Sequence, residues 1–274
     1  MDILFKVAEW LLPLLYMGLV IDYGVTFFLR IRTHVHNGWI PVIILFHAAF
    51  LVVRSIHLGQ PPLFNGYEIL SVIALSTTAV YYIVELVGHD RRTGLFVFLI
   101  VFLAQYTSSV FLANTAIEPT TPAVAGQGWR SLHSLAATFA YTALALAGVY
   151  GALHLIGRRN LKRHNIGLLF DRLPPLELLG RTCWYAIIGG LVFMTISVVT
   201  GALVYGRGAG GPDAEAMSAK IIAKIVVGSV TWLVCVVAVL GKGVGKWSDS
   251  RVCLVAAGGF LTVAILFVAS LALS

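Results

Sequence analysis

The chain has 274 residues, 59% of them hydrophobic and 11% charged, with three cysteines and a formal net charge of +7. A soluble domain carries roughly 25% charged residues, so an ordinary soluble fold is excluded and the reading is an all-α, polytopic membrane helix bundle, taken as one transmembrane domain over 1–274. The positive charge does not indicate a nucleic-acid surface, because most Lys and Arg fall in short loops between apolar runs.

A helix crosses the hydrocarbon with about 20 apolar residues. Runs of that kind occur at about 10–29, 39–56, 67–87, 94–113, 133–156, 182–205, 219–240 and 252–272, which predicts about eight transmembrane helices. The opening MDILFKVAEW lacks a cleavage-site pattern, so the first span is expected to act as an uncleaved insertion signal. Loops after odd-numbered spans hold thirteen of the 19 basic residues, among them Arg91, Arg92, Arg158, Arg159, Lys162 and Arg163. By the positive-inside rule both termini then face the non-cytoplasmic side. Two connections exceed a turn. Asn114 to Leu132 is expected as an outer loop, and Arg158 to Gly180 as a basic inner one. Within the latter, IGLLFDRLPPLELLG reads either as a short amphipathic helix on the membrane surface or as a plain connector. The three cysteines are distant in sequence and form no CxxC, so neither a redox pair nor a disulfide framework is implied.

The segment HLGQPPLFNGYEIL, His57 to Leu70, joins the second and third spans with no Lys or Arg of its own. Before it the second span carries His47 and Arg54, and after it Tyr67 and Glu68 open the third. Ionisable groups at membrane depth are costly and are functional candidates by default. His47 and Arg54 are seven residues apart and share one helix face. At about 1.5 Å per residue, His47 lies some 15 Å below His57, near mid-membrane. His133 begins the fifth span on the outer side, at the level of His57, whereas His154 falls near the cytoplasmic side. The other four histidines, His34, His36, His89 and His164, sit in loops beside basic residues and read as solvated side chains.

His57 and His133 are therefore the pair that can meet, and haem iron takes axial histidines. On that reading both are metal ligands, with His47 next. Arg54 and Arg130 suit haem propionates through two-pronged guanidinium–carboxylate pairing, and Trp129 and Tyr67 form pocket walls. A salt bridge between Arg54 and Glu68 across the second-to-third turn is an equally good account of those two residues. Asp22 and Gln105 are buried polar groups without an assigned role. The TISVVTG run, Thr195 to Gly201, reads as close-packed helix surface.

The order of motifs carries a further signal. P-x-x-N-x-Y-E (Pro62, Asn65, Tyr67, Glu68) precedes a span opened by His133 with Tyr141 inside it. Thr195 and Gly201 follow, then Asp213, Lys220 and Trp232, and finally Gly259–Phe260 in the last span. This order resembles the cytochrome c assembly membrane proteins, the CcsA, ResC and CcmC superfamily, and within it the shorter HemX-like branch. The resemblance implies non-covalent, b-type haem presented at the outer face between His57 and His133. It also implies the bacterial inner (cytoplasmic) membrane, and as partners other cytochrome c assembly or respiratory membrane proteins and apocytochrome c. The superfamily's tryptophan-rich loop belongs between the sixth and seventh spans, where this chain reads YGRGAGGPDAEAMSAK without tryptophan. That departure implies a haem carrier or assembly component rather than a free-standing enzyme. A b-type electron-transfer subunit of a quinol oxidoreductase and a cofactor-free scaffold remain as alternatives.

Overall fold

A computed structural model of the chain describes residues 2–29, 36–59, 63, 65–88, 90–112, 127–164, 167, 171–206 and 219–272. Those residues form eight long helices and no strand. They are α1 (Asp2–Leu29), α2 (His36–Leu58), α3 (Gly66–Gly88), α4 (Gly94–Leu112), α5 (Gln127–Lys162), α6 (Leu176–Gly206), α7 (Ala219–Gly243) and α8 (Asp249–Ala272). All eight are long and apolar enough to cross a membrane. The protein is thus an all-helical, multi-pass membrane protein. In lipid each backbone N–H and C=O must be satisfied within its own segment, and the helix does this.

The apolar runs found the helices but not their full lengths. α5 has 36 residues and α6 has 31, against about 20 needed to span the hydrocarbon. Gln127 to Leu132, expected as the end of an outer loop, is the first turns of α5. Trp129, Arg130 and Ser131 lower hydropathy there without opposing helicity. Leu176 to Gly180 likewise belongs to α6 rather than to a separate surface helix, and most of the segment before it lies outside the described residues.

Helix ends follow local chemistry. Asn65 Oδ1 accepts the Tyr67 amide at 3.1 Å and the Asn65 carbonyl accepts the Ile69 amide at 3.0 Å. Asn65 is therefore the N-cap of α3, with Glu68 in the first turn where the helix dipole favours a carboxylate. At the end of α7 the Trp247 amide donates to the Gly241 carbonyl at 2.9 Å. The indole folds back so closely that a Cβ on Gly241 would meet it at 2.3 Å.

The chain divides into two compact units, Met1–Ala123 and Val124–Ser274. In the first, α4 packs against both α1 and α3, and α2 packs on α1 and α3. The inward face of α1 repeats every three or four residues: Phe5, Glu9, Leu12, Tyr16, Leu19, Tyr23 and Phe27 are all buried. Phe5 and Leu12 form a cluster with Phe50 and Leu51 of α2, while Tyr23, Tyr81 and Phe98 pack ring against ring further along.

In the second unit α5 is the central helix, packed against α6 and α8, with α7 on α8 and α6. Small residues allow this closeness. A Cβ on Gly151 would lie 2.8 Å from the Cys253 carbonyl, and one on Gly148 would lie 2.5 Å from Phe260. Cys183 and Cys253, 70 positions apart, are both fully buried free thiols, and both border Gly151.

Candidate functional site

In the first unit His47 is the hub of a buried chain of hydrogen bonds joining all four helices. The Tyr16 hydroxyl lies 2.8 Å from His47 Nδ1, and His47 Nε2 lies 2.9 Å from Ser71 Oγ. Ser71 donates to Gln105 Oε1 at 3.0 Å, and Gln105 Nε2 donates to Ser109 Oγ at 3.1 Å. The direction of the chain fixes the tautomer. Because the Ser71 proton is spent on Gln105, His47 donates from Nε2 to Ser71 and accepts the Tyr16 proton on Nδ1. Tyr16 and His47 are 0% exposed, and both ring nitrogens are engaged.

About two helical turns away along α2 stands a buried ion triad. Arg54 Nη1 donates to Glu9 Oε1 at 2.5 Å, and Arg54 Nε donates to Glu68 Oε1 at 3.3 Å. The three side chains are 4–5% exposed. The salt bridge between Arg54 and Glu68 is thus present, and Glu9, which the sequence did not single out, joins it. Glu68 Oε2 is buried without a hydrogen-bond partner. Tyr67 stacks on Phe111 with centroids 4.5 Å apart, and its carbonyl accepts a bond from Ser108. His57 is exposed at the end of α2, its ring 5.0 Å from that of Phe5.

In the second unit His133 lies in the second turn of α5 and is seated on α6. Its Nδ1 is 2.7 Å from the Ser197 carbonyl oxygen and 3.1 Å from Ser197 Oγ. A carbonyl can only accept, so Nδ1 carries the proton and Nε2 is the basic nitrogen. Gly201 makes room for the ring, since a Cβ there would sit 2.9 Å from His133 Cε1. Both seating residues come from the TISVVTG run, which the sequence read as packing surface, with Thr195 and Gly201 also among the ordered motifs. Trp129 and Arg130 lie exposed on the preceding turn. Thr195 accepts a bond from Trp232 Nε1 at 3.1 Å, so two motif residues meet there. His154 lies further along α5, its Nδ1 2.9 Å from the Leu176 carbonyl and its Nε2 3.2 Å from Ser250 Oγ.

The residues singled out from sequence therefore divide between the units. The first brings together Arg54 and Glu68, with His47, Tyr67 and His57 on the same helices. The second holds His133, Trp129 and Arg130. Chemically, an imidazole oriented by a carbonyl on Nδ1 is what a metal ligand requires, because the partner fixes the tautomer and aims the lone pair. His133 has that arrangement and fits a haem iron, and His57 has an accessible ring. His47 has both nitrogens committed and Arg54 has two carboxylates. Among the described residues no group of three or more His, Cys, Asp and Glu side chains could hold a metal ion without help from another group. Glu9 and Ser71 were missed, and Ser197 was noted only as part of the Thr195–Gly201 run. For Glu9 a signal existed, since Glu9, Tyr16 and Tyr23 recur every seven residues. The loop with Asp213 lies outside the described residues.

The model of a family described as "Cytochrome C assembly protein" matches residues 63–274. A curated relative, "Protein HemX" of Brevibacillus brevis, is 27% identical over 178 residues, 62% of this chain and 61% of the relative. The chain thus spans about 61% of the length of that curated relative.

Proposed function

The chain belongs to the cytochrome c assembly protein family, and from that membership we propose that it handles haem within the membrane, as a carrier or assembly component rather than a free-standing enzyme. Haem, when bound, supplies an iron that accepts imidazole ligands at its axial positions. His133 is one ligand, through Nε2, and His57 is the other, at the outer face. The haem is non-covalent and b-type. The observation that carries this reading is the seat of His133: the Ser197 carbonyl holds the proton on Nδ1, and Gly201 leaves space for the ring. Fixing an imidazole in advance lowers the entropy lost when a ligand binds.

The remaining residues serve the same site in graded ways. Arg130, exposed beside Trp129 one turn before His133, offers a guanidinium to a propionate carboxylate, and Trp129 offers an apolar wall. Tyr67 on its Phe111 stack does the same near His57. His47, Arg54 and Glu68 hold the interior of the first unit, where both His47 ring nitrogens are engaged and Arg54 is paired with Glu9 and Glu68. Both termini face the non-cytoplasmic side of the bacterial cytoplasmic membrane, as the loop charges require. Other assembly proteins of that membrane and apocytochrome c are the partners.

The visible spectrum of protein purified from haem-replete cells tests the reading. Wild type is expected to show a Soret band. His133→Ala and His57→Ala are each expected to shift it or lower its stoichiometry. A haem-containing wild type whose spectrum and stoichiometry survive both substitutions refutes the ligand assignment, and a colourless wild type refutes stable binding.

A further inference from the structure

The first unit buries a polar seam from one end to the other. On α3, Glu68, Ser71, Thr78, Tyr81 and Glu85 recur at helical spacing and are all buried. Glu68 and Glu85 are 17 residues apart, about 25 Å along the axis, which is most of a hydrocarbon core about 30 Å thick. α1 faces this stripe with Glu9, Tyr16 and Tyr23, α2 with His47 and Arg54, and α4 with Gln105. Asp22 lies half-buried beside Tyr23, and Lys6 is exposed one turn before Glu9. Apolar side chains would pack these helices without the cost of burying ionisable groups in a membrane. Where that cost is met along a whole span, ion and proton routes are the usual reason. α1 and α2, which supply Glu9, Tyr16, Tyr23, His47 and Arg54, lie outside the region that matches the family model, residues 63–274.

Its contacts fall into three groups along the span. At one end stands the Glu9–Arg54–Glu68 triad. Ser71 is one turn from Glu68 on α3, and it bonds His47, which bonds Tyr16. The Thr78 hydroxyl donates to the Ala74 carbonyl at 2.8 Å. At the other end the Tyr23 hydroxyl donates to Glu85, which Arg91 Nε also meets at 2.9 Å.

We propose that the first unit carries a transmembrane proton path between the Glu85–Arg91 end and the Glu9–Arg54–Glu68 end, with the His47 imidazole as its relay. The bonds are aligned for transfer from Tyr16 toward Ser71. Tyr16 gives its proton to Nδ1 as Nε2 gives one to Ser71 Oγ, so the ring ends neutral in its other tautomer. A hydronium ion arriving through water from the Tyr23–Glu85 end restores the Tyr16 proton and leaves water behind, and Ser71 passes its own proton to Glu68. Gln105 is the gate. In the structure the Ser71 hydroxyl points at Gln105 Oε1, away from the carboxylate. Rotation of that one hydroxyl from Gln105 toward Glu68 opens the path.

The test uses the full chain in liposomes loaded with a pH-sensitive dye, with a potassium diffusion potential as the driving force. Wild type is expected to take up protons faster than protein-free vesicles. Tyr16→Phe and His47→Phe are expected to fall to that background, and Gln105→Leu, which removes the competing acceptor, to exceed wild type. Val52→Ala, on the exposed face of α2, should match wild type. If His47→Phe does not insert, Tyr16→Phe decides, because it removes one hydroxyl and keeps the ring. A silent wild type with a conducting Gln105→Leu supports a path held shut by its gate. Silence in both overturns the proposal, as does flux in Tyr16→Phe equal to wild type.

Discussion

Arg54→Met isolates the energetics of the first unit. The guanidinium lies between two carboxylates, 2.5 Å from Glu9 and 3.3 Å from Glu68, and all three side chains are 4–5% exposed. At an effective dielectric near 20, a unit charge pair at about 4 Å is worth about 4 kcal/mol, and the dehydration of each ion costs several kcal/mol in return. The triad's net contribution is therefore small. Its fragility is large. Methionine fills much the same volume but leaves two dehydrated carboxylates facing each other, so the expected loss is about 3–5 kcal/mol. Replacing all three charges together, as Arg54→Met with Glu9→Gln and Glu68→Gln, is expected to recover most of that loss. Reversible unfolding in mixed detergent micelles, followed by the fluorescence of the six tryptophans, measures both. If the single variant falls within about 1 kcal/mol of wild type, or the triple variant is no more stable than the single, the charge argument fails.

Gly201→Ala places a methyl group 2.9 Å from His133 Cε1. It is expected to cost about 1–3 kcal/mol by overpacking and to alter the haem spectrum in the same direction as His133→Ala, which absorption spectroscopy on the purified variant checks. Asn65→Ala removes the cap that accepts the Tyr67 amide and is expected to cost about 1 kcal/mol. Thermal unfolding of wild type and variant side by side reads that difference.

The eight helices could be read in advance because membrane insertion leaves a one-dimensional trace: a run of apolar residues of fixed length between charged or Gly/Pro breaks. The ends of α5 could not, since Gln127 to Leu132 is polar enough to interrupt that trace while remaining good helix. The Arg54–Glu68 bridge was foreseeable because a short turn forces those residues to one level. Glu9 was hidden by its position ahead of the first apolar run, where it looked like a polar terminus. Its heptad spacing to Tyr16 and Tyr23 becomes meaningful only once α1 is known to start at Asp2. The seat of His133 shows the opposite limit. Ser197 and Gly201 announce a surface made for close approach, but nothing in their spacing names the side chain, 64 residues away, that occupies it. The meeting of Cys183 and Cys253 beside Gly151 was equally out of reach, because no local pattern links a residue on α6 to one on α8.

α5 has 36 residues and is therefore about 54 Å long, well beyond the roughly 30 Å of hydrocarbon around it. It carries His133 near one tip and the exposed Arg158, Arg159 and Lys162 near the other. A rod of that reach acts as a lever. Tilting it by about 10° sweeps either tip through about 9 Å relative to the other, so a partner that leans on the basic tip would reposition the imidazole at the far side without touching it.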